Sequence, residues 1–134
     1  CADTHTTILT QHVCAEFLNR GLLPGHLAAI SPIYGARMQR MLEGIRQYFP
    51  KGCRYTQPEG GLFIWVELPK DIDTLPLMAK CATEIQVAFV PGSPFAAQAP
   101  VGRNCLRLNF SSNSPERIEE GMKKLGAFLC ACCE

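Results

Sequence analysis

Apolar residues in the first part of the chain recur every three or four positions, a spacing typical of amphipathic helices. A first helix is predicted over residues 4–19, and Gly21 supplies its C-terminal stop. Residues 22–26 contain Pro-Gly and predict a linker turn, and a long helix is predicted over residues 27–49. Pro32 lies within the apolar pattern of this second helix, so it must either occupy the first helical turn or kink the helix.

The pattern then changes to short runs of β-branched, aromatic and leucine residues, separated by glycine and proline, which indicate strands. Asp73 can cap a short helix that runs to Ala82. Ser114 followed by Pro115 marks the start of a final helix with one apolar stripe. Strands are predicted at residues 53–56, 62–68, 87–90 and 104–111.

The predicted order of elements is α, α, β, β, α, β, β, α. This order predicts one α/β (α+β) domain, with a small mixed or antiparallel sheet backed by helices and a long helical arm over residues 1–50. The two N-terminal amphipathic helices need a surface to pack on. They could fold back on the sheet, or they could connect to a larger body outside this sequence.

Arg107 is the candidate functional residue, because it stands between Leu106 and Leu108 in a strand that is expected to be buried. A guanidinium is rarely buried unless a partner compensates for its desolvation. The usual partner is a carboxylate or phosphate, held by two parallel hydrogen bonds. Two alternatives stay open: Arg107 is one half of an internal ion pair, or it binds an anionic ligand.

The composition narrows the function classes. Of the 134 residues, 47% are hydrophobic and 19% are charged, and the formal net charge is +1, as in an ordinary globular domain with its own core. There is no basic run or Lys/Arg-rich face, so no nucleic-acid partner is expected. No membrane association is expected either, because no apolar run approaches the roughly 18 residues of a membrane span, and the first residues do not resemble a signal peptide.

Eight cysteines are scattered through the predicted helices and strands. Their spacing fits neither a small disulfide-rich scaffold nor the paired ligands of a zinc site, so no metal site is predicted. The favoured interpretation is free thiols in a reducing, cytoplasmic environment.

Four short motifs occur in order along the chain: PEGGLFIW at residues 58–65, VAFVPG at 87–92 followed by Phe95, LRLNFS at 106–111 and IEEGM at 118–122. Together they resemble the C-terminal small domain of the fold-type-I, pyridoxal-phosphate-dependent aminotransferases of class I/II. The branch that handles aromatic, branched-chain and aminoadipate-type amino acids is the most similar. The resemblance covers nearly all of residues 1–134, and it implies that residues 1–50 are an interdomain helical segment.

The resemblance implies substrate-binding roles for two residues. In the family, the arginine matching Arg107 holds the substrate α-carboxylate by a two-point salt bridge, which orients the substrate for loss of its Cα proton. The residue matching Phe63 lies near the substrate side chain; packing in the core is the alternative for this phenylalanine. No lysine here stands in the family's Ser/Thr-x-x-Lys context. The resemblance therefore places the Schiff-base lysine and the pyridoxal 5'-phosphate site in a large domain that is absent from this sequence.

The expected function follows from these roles. The chain is expected to be the C-terminal domain of a parent enzyme that transfers an amino group from an amino acid to a 2-oxo acid. Alone it is expected to be inactive, because the Schiff-base nucleophile and the electron sink lie elsewhere. The implied partners are the large domain of the same polypeptide and a second copy, since the family is usually homodimeric. The alternative is the aminotransferase-like, effector-sensing domain of a bacterial transcription regulator.

Overall fold

The structure is a computed structural model that describes residues 7–69, 72–98 and 100–133. The chain divides into two compact units, with the boundary between Ile33 and Tyr34. The predicted order of helices and strands is confirmed. The elements are α1 (Ile8–Asn19), α2 (Leu23–Tyr48), β1 (Arg54–Tyr55), β2 (Phe63–Glu67), α3 (Thr74–Lys80), a π-helical turn (Cys81–Ile85), β3 (Val90–Pro91), a 3-10 turn (Ser93–Phe95), β4 (Cys105–Asn109) and α4 (Pro115–Cys133).

The first unit contains α1 and the beginning of α2. No residue of α1 is buried, and the side chain of Leu9 is 74% exposed. Gly21 has a φ of 67° and ends α1, as predicted. The predicted turn at residues 22–26 is wrong in its extent, because α2 already begins at Leu23. Pro24 is accommodated there since the first helical turn does not need its missing N–H.

Pro32 lies well inside α2, so of the two alternatives for this residue the first-turn position is wrong. Proline has no N–H to donate to the carbonyl of Ala28, so α2 lacks one backbone hydrogen bond at this point. The boundary between the two units follows one residue later.

The second unit is built on a four-stranded antiparallel sheet in the order β1-β2-β4-β3. Its central strands, β2 and β4, pair along their whole lengths. Successive residues of a strand point to opposite faces of a sheet. Ile64, Val66, Leu106 and Leu108 therefore share one face, and all four are buried. This face is called the core face below.

The core of the second unit includes the core face and apolar residues from α2 and α4. The predicted stripe of α4 is confirmed: Ile118, Met122, Leu125 and Leu129 are at most 4% exposed. Gly126 allows α4 to approach the end of α2, because a Cβ at this position would lie 2.5 Å from the Cβ of Tyr48.

The predicted strand at residues 87–90 is wrong in its extent. Only Val90–Pro91 pairs with β4. Before it, Gln86 adopts a left-handed conformation, with a φ of 58°, at the end of the π-helical turn. Residues 87–89 follow it outside the sheet, and the chain enters β3 at Val90. The predicted helix to Ala82 is α-helical only as far as Lys80, and the π-helical turn continues it to Ile85.

Candidate functional site

Arg107 lies on the sheet face opposite the core face. Trp65 lies directly across from Arg107 on β2, and Val90 lies across from it on β3. Phe63 and Asn109 are a further pair two residues along the strands, so they share this face. We call this face, defined by these five residues, the arginine face. Arg107 is half-buried on it, so the expectation of a fully buried side chain is wrong, although Leu106 and Leu108 on either side are buried.

Two aromatic rings contact the Arg107 guanidinium. Its central carbon lies 4.1 Å from the centroid of the Phe63 ring and 5.0 Å from that of the Phe95 ring. Phe95 in turn meets Trp65 edge-on, with ring centroids 5.7 Å apart and an interplanar angle of 80°. Both guanidinium contacts lie within cation–π range, so the rings restrict where this side chain can lie.

Within the described part of the chain, no carboxylate forms an ion pair with Arg107. The arginines that do form such pairs there are Arg20, Arg40, Arg54 and Arg103. One of these pairs lies within the sheet and joins Arg54 of β1 to Glu67 of β2 at 2.6 Å. The hydrogen bond that Arg54 donates to Glu67 raises the pKa of Arg54 above its ordinary value. The Arg107 guanidinium thus has aromatic neighbours, while Arg54 has an acidic one.

Phe95 reaches the arginine face through a tight turn after β3. The Gly92 N–H donates to the carbonyl of Cys105 at 2.7 Å, and the Phe95 N–H donates to the carbonyl of Gly92 at 3.0 Å. A Cβ on Gly92 would lie 2.6 Å from both the Cβ of Cys105 and the carbonyl oxygen of Gly102. Only glycine fits this approach, so Gly92 is part of what places Phe95 beside Arg107.

A cleft of about 310 Å³ opens between Arg107 and the segment that leads into β3. Its volume is at the lower end of the range for small-molecule sites, about 300–1,000 Å³. Among the described residues that line it, Arg107 alone carries a charge. The lining residues are Ala88, Phe89, Val90, Arg107, Asn109, Ser112 and Asn113. The cleft therefore offers one cation and several neutral hydrogen-bonding groups to a ligand.

Phe63 does not pack in the core, so that alternative is wrong. Its ring is 42% exposed and lies on the arginine face. Trp65 and Phe95 lie within or beside the sequence motifs, but neither has a role that is predicted from the sequence. Strict alternation along β2 could have placed Trp65 beside Phe63. Phe95 lies in an irregular turn and has no comparable periodic signal.

The described lysines lie outside the strands of the sheet, so none stands on the arginine face. Lys70 lies outside the described residues. Lys123 and Lys124 instead form ion pairs along α4, at 2.8 and 2.7 Å from Glu119 and Glu120. The remaining described lysines are Lys51, in the turn before β1, and Lys80, at the end of α3.

Three further features bear on function: metal ligands, membrane spans and thiols. The described residues contain no group of three His, Cys, Asp or Glu side chains that could hold a metal ion. None of the described helices is long and apolar enough to cross a membrane. Cys1 and the side chain of Cys133 lie outside the described residues. Among the described thiols, those of Cys14, Cys81, Cys105, Cys130 and Cys132 form no disulfide in the structure.

The sequence model of the family described as aminotransferase class I and II matches residues 3–125 of the chain. The chain belongs to this family. The match includes all four strands, the arginine face and most of α4. The fold and the family that the sequence motifs resembled are therefore confirmed.

Individual aminotransferases are similar over almost the whole chain. An uncharacterized aminotransferase of Saccharolobus solfataricus is 41% identical over 124 residues, which cover 92% of this chain and 30% of that protein. The 2-aminoadipate transaminase of Thermus thermophilus is 41% identical over 128 residues, covering 96% of this chain and 32% of that protein. The chain thus spans about a third of the length of these relatives.

A solved structure agrees with these matches. The crystal structure of LysN, an α-aminoadipate aminotransferase from Thermus thermophilus complexed with N-(5'-phosphopyridoxyl)-L-leucine, has a TM-score of 0.84 and 39% sequence identity. The match covers 98% of this chain and 33% of LysN. The similarity also extends beyond proteins named as aminotransferases, because an uncharacterized HTH-type transcriptional regulator of Escherichia coli is 35% identical over 118 residues, covering 87% of this chain and 24% of that protein.

Proposed function

We propose that this chain is the C-terminal small domain of a pyridoxal-phosphate-dependent aminotransferase, with residues 1–50 as its interdomain helical segment. In this proposal Arg107 binds the α-carboxylate of the amino-acid or 2-oxo-acid substrate, and Phe63 contacts the substrate beside it. The observation that carries the proposal is the environment of Arg107. The guanidinium lies on the non-core face against Phe63 and Phe95, and no described carboxylate pairs with it.

The aromatic contacts suit Arg107 to this role. Cation–π contacts with two rings limit the rotamers of the side chain, so less conformational entropy is lost when a ligand binds. The planar fork can then donate two parallel hydrogen bonds to one carboxylate. A carboxylate held at two points fixes the orientation of the adjacent Cα, which is what an orientation-dependent reaction at that carbon requires.

The remaining machinery is assigned to the rest of the full-length protein. We propose that the large domain of the same polypeptide supplies the Schiff-base lysine and the pyridoxal 5'-phosphate site. Closure of the small domain over the substrate would exclude water from the reaction. The chain alone would then be inactive, and the parent would be a cytoplasmic homodimer. Family membership and the one-third coverage of the relatives support this division.

A second candidate function rests on the Escherichia coli regulator that matches 87% of this chain. In that case the chain would be part of an effector-sensing body, and Arg107 would bind the carboxylate of an amino-acid effector without turnover. The two candidates make the same use of Arg107 and differ in whether amino transfer takes place.

The experiment is steady-state kinetics on the full-length protein, with L-2-aminoadipate, L-phenylalanine and L-leucine as amino donors and 2-oxoglutarate as acceptor. The proposal expects transfer, and expects Arg107→Lys to lower kcat/KM about thirtyfold to several thousandfold, because lysine keeps the charge but loses the fork. Cofactor titration and the melting temperature should stay near wild type. Absence of transfer together with binding of the amino donors would favour the regulator.

If Arg107 has only a structural role, the Arg107→Lys variant should differ from wild type in stability and in all binding, not in substrate turnover alone. If the residue belongs to an internal ion pair, Arg107→Lys lowers the melting temperature and weakens cofactor and substrate binding together. Wild-type activity in this variant would contradict the carboxylate assignment.

A further inference from the structure

Strand β4 ends in a turn in which both the N–H and the carbonyl of Ser111 form hydrogen bonds with side chains. The Ser111 N–H donates to Oδ1 of Asn109 at 2.6 Å. The Ser111 carbonyl accepts a hydrogen bond from Nη1 of Arg37, a residue of α2. The Arg37 guanidinium also lies 5.6 Å from the centroid of the Tyr34 ring. The half-buried Arg37 side chain of α2 is thus hydrogen-bonded to the turn that follows β4, the strand that contains Arg107.

This turn forms one side of the cleft beside Arg107. Asn109, Ser112 and Asn113 line the cleft together with Arg107. Asn109 stands two residues from Arg107 on the same face of β4 and is itself bonded to Ser111. The position of the cleft's polar side therefore depends on the backbone at Ser111, and Arg37 fixes the carbonyl there.

Arg40, another arginine of α2, forms ion pairs with carboxylates. Arg40 lies 3.4 Å from Glu43 and 3.7 Å from Glu119, in ion pairs whose side chains are at least one-third exposed. Exposed pairs of this kind contribute little to stability. Arg37 forms no ion pair with any described carboxylate; it donates to a backbone carbonyl instead. A hydrogen bond from a charged donor is stronger than one between neutral groups, so this contact restrains the turn.

We propose that Arg37 is a positioning residue for the carboxylate site. By holding the Ser111 carbonyl, it keeps the end of β4 and the 109–113 side of the cleft in the geometry that Arg107 needs to meet a substrate carboxylate. This inference rests on the proposed function of Arg107. Loss of the contact lets the turn relax while the core face, on the other side of β4, stays packed. Small misplacements of binding groups in an active site have large kinetic effects.

The test is a double-mutant cycle in the full-length protein, assayed with L-2-aminoadipate, L-phenylalanine and L-leucine as donors. Arg37→Met removes the guanidinium donors but keeps an unbranched apolar stem. Arg40→Met, on the same helix, is the matched control. We expect Arg37→Met to raise the KM of the amino donor about fivefold to twentyfold with kcat lowered less than about threefold, because the site is displaced rather than removed. Arg40→Met should stay within about twofold of wild type.

The second arm places Arg37→Met in the Arg107→Lys background. If Arg37 acts through Arg107, its substitution there adds less than about twofold to KM, because coupled residues are not additive. Full additivity would overturn the inference, as would equal behaviour of Arg37→Met and Arg40→Met. A fall in melting temperature and in cofactor affinity that accounts for the whole loss of activity in Arg37→Met would also overturn it.

These outcomes are separate from failure of the proposed function. If wild type transfers amino groups and Arg107→Lys is impaired, the proposed function stands whatever Arg37 does. If wild type transfers none, or Arg107→Lys is fully active, the proposed function and this inference fail together.

Discussion

The Arg107 guanidinium lies 4.1 Å from the centroid of the Phe63 ring, on the side of the sheet opposite Ile64 and Leu108. Alternation along β2 and β4 produces this arrangement, since one face of each strand is buried and the other carries the aromatic and polar residues. An arginine in the middle of an apolar strand therefore does not need an internal ion pair. In this fold the apolar neighbours in sequence point away from it.

The contact between Phe63 and Arg107 predicts a binding effect with little effect on stability. Phe63→Ala in the full-length protein should raise the KM of an amino donor about threefold to thirtyfold, the range expected for losing one cation–π contact. The free energy of unfolding should fall by about 1 kcal/mol or less, because the ring is 42% exposed. Steady-state kinetics and urea unfolding measure the two quantities.

Val101→Ala is the control for Phe63→Ala, because Val101 is 64% exposed and is not among the described residues that line the cleft beside Arg107. It should leave both KM and stability near wild type. A large loss of stability in Phe63→Ala with unchanged KM would show that the ring serves packing and not the site.

Gly126 and Gly121 form a matched pair on α4. A Cβ on Gly126 would meet the Cβ of Tyr48 at 2.5 Å and also its backbone carbonyl, whereas nothing lies within 4 Å of a Cβ on Gly121. Gly126→Ala should therefore lower the free energy of unfolding by about 2–3 kcal/mol through overpacking. Gly121→Ala should raise it by up to about 1 kcal/mol through helix propensity. Chemical denaturation of the two variants would contradict this packing if they behaved alike.

Ionisation of the buried Cys81 thiol is expected to lower the stability of the folded protein at alkaline pH. Burial, followed by the charges of Cys132 and Glu84, raises the pKa of this fully buried thiol from 9.0 to about 11. Below the pKa of the unfolded chain the thiol is neutral in both states. Between about pH 9 and 11 only the unfolded thiol ionises, so the free energy of unfolding should fall by up to about 2–3 kcal/mol.

The comparison for this prediction is Cys81→Ala. The variant should be less stable than wild type at pH 7, because alanine leaves a small cavity. Its stability should nevertheless fall less between pH 9 and 11, since the titrating thiol is gone. Parallel pH profiles for the two proteins would mean that Cys81 ionises equally in the folded and unfolded states.

Much of the fold could be predicted from sequence periodicity. The α4 stripe from Ile118 to Leu129 and the alternating core face follow directly from their spacing. The start of α2 at Leu23 could not be predicted from the sequence. Pro-Gly is typical of a turn, but a proline is also accepted in the first turn of a helix. Residues 87–89 are as apolar as a strand but lie outside the sheet, after Gln86, whose left-handed conformation has no periodic signal in the sequence.

The candidate site could be predicted only in part. Arg107 stands out because a charge interrupts an apolar run. Phe95 and Arg37 reach the site through a glycine turn and a contact between α2 and the end of β4. Contacts between residues far apart in the chain have no pattern in one sequence, so neither residue could be assigned from it.

The most direct test of the central claim, that Arg107 binds the substrate carboxylate, compares L-phenylalanine with L-phenylalaninamide as amino donor for the full-length protein and for Arg107→Met. The account predicts that the substitution lowers kcat/KM for the acid about thirtyfold to several thousandfold but changes it for the amide less than about threefold, because only the acid carries the group that the fork binds. Wild-type preference for the acid should largely disappear in the variant. An equal fall for acid and amide, or no fall for either, would contradict the claim.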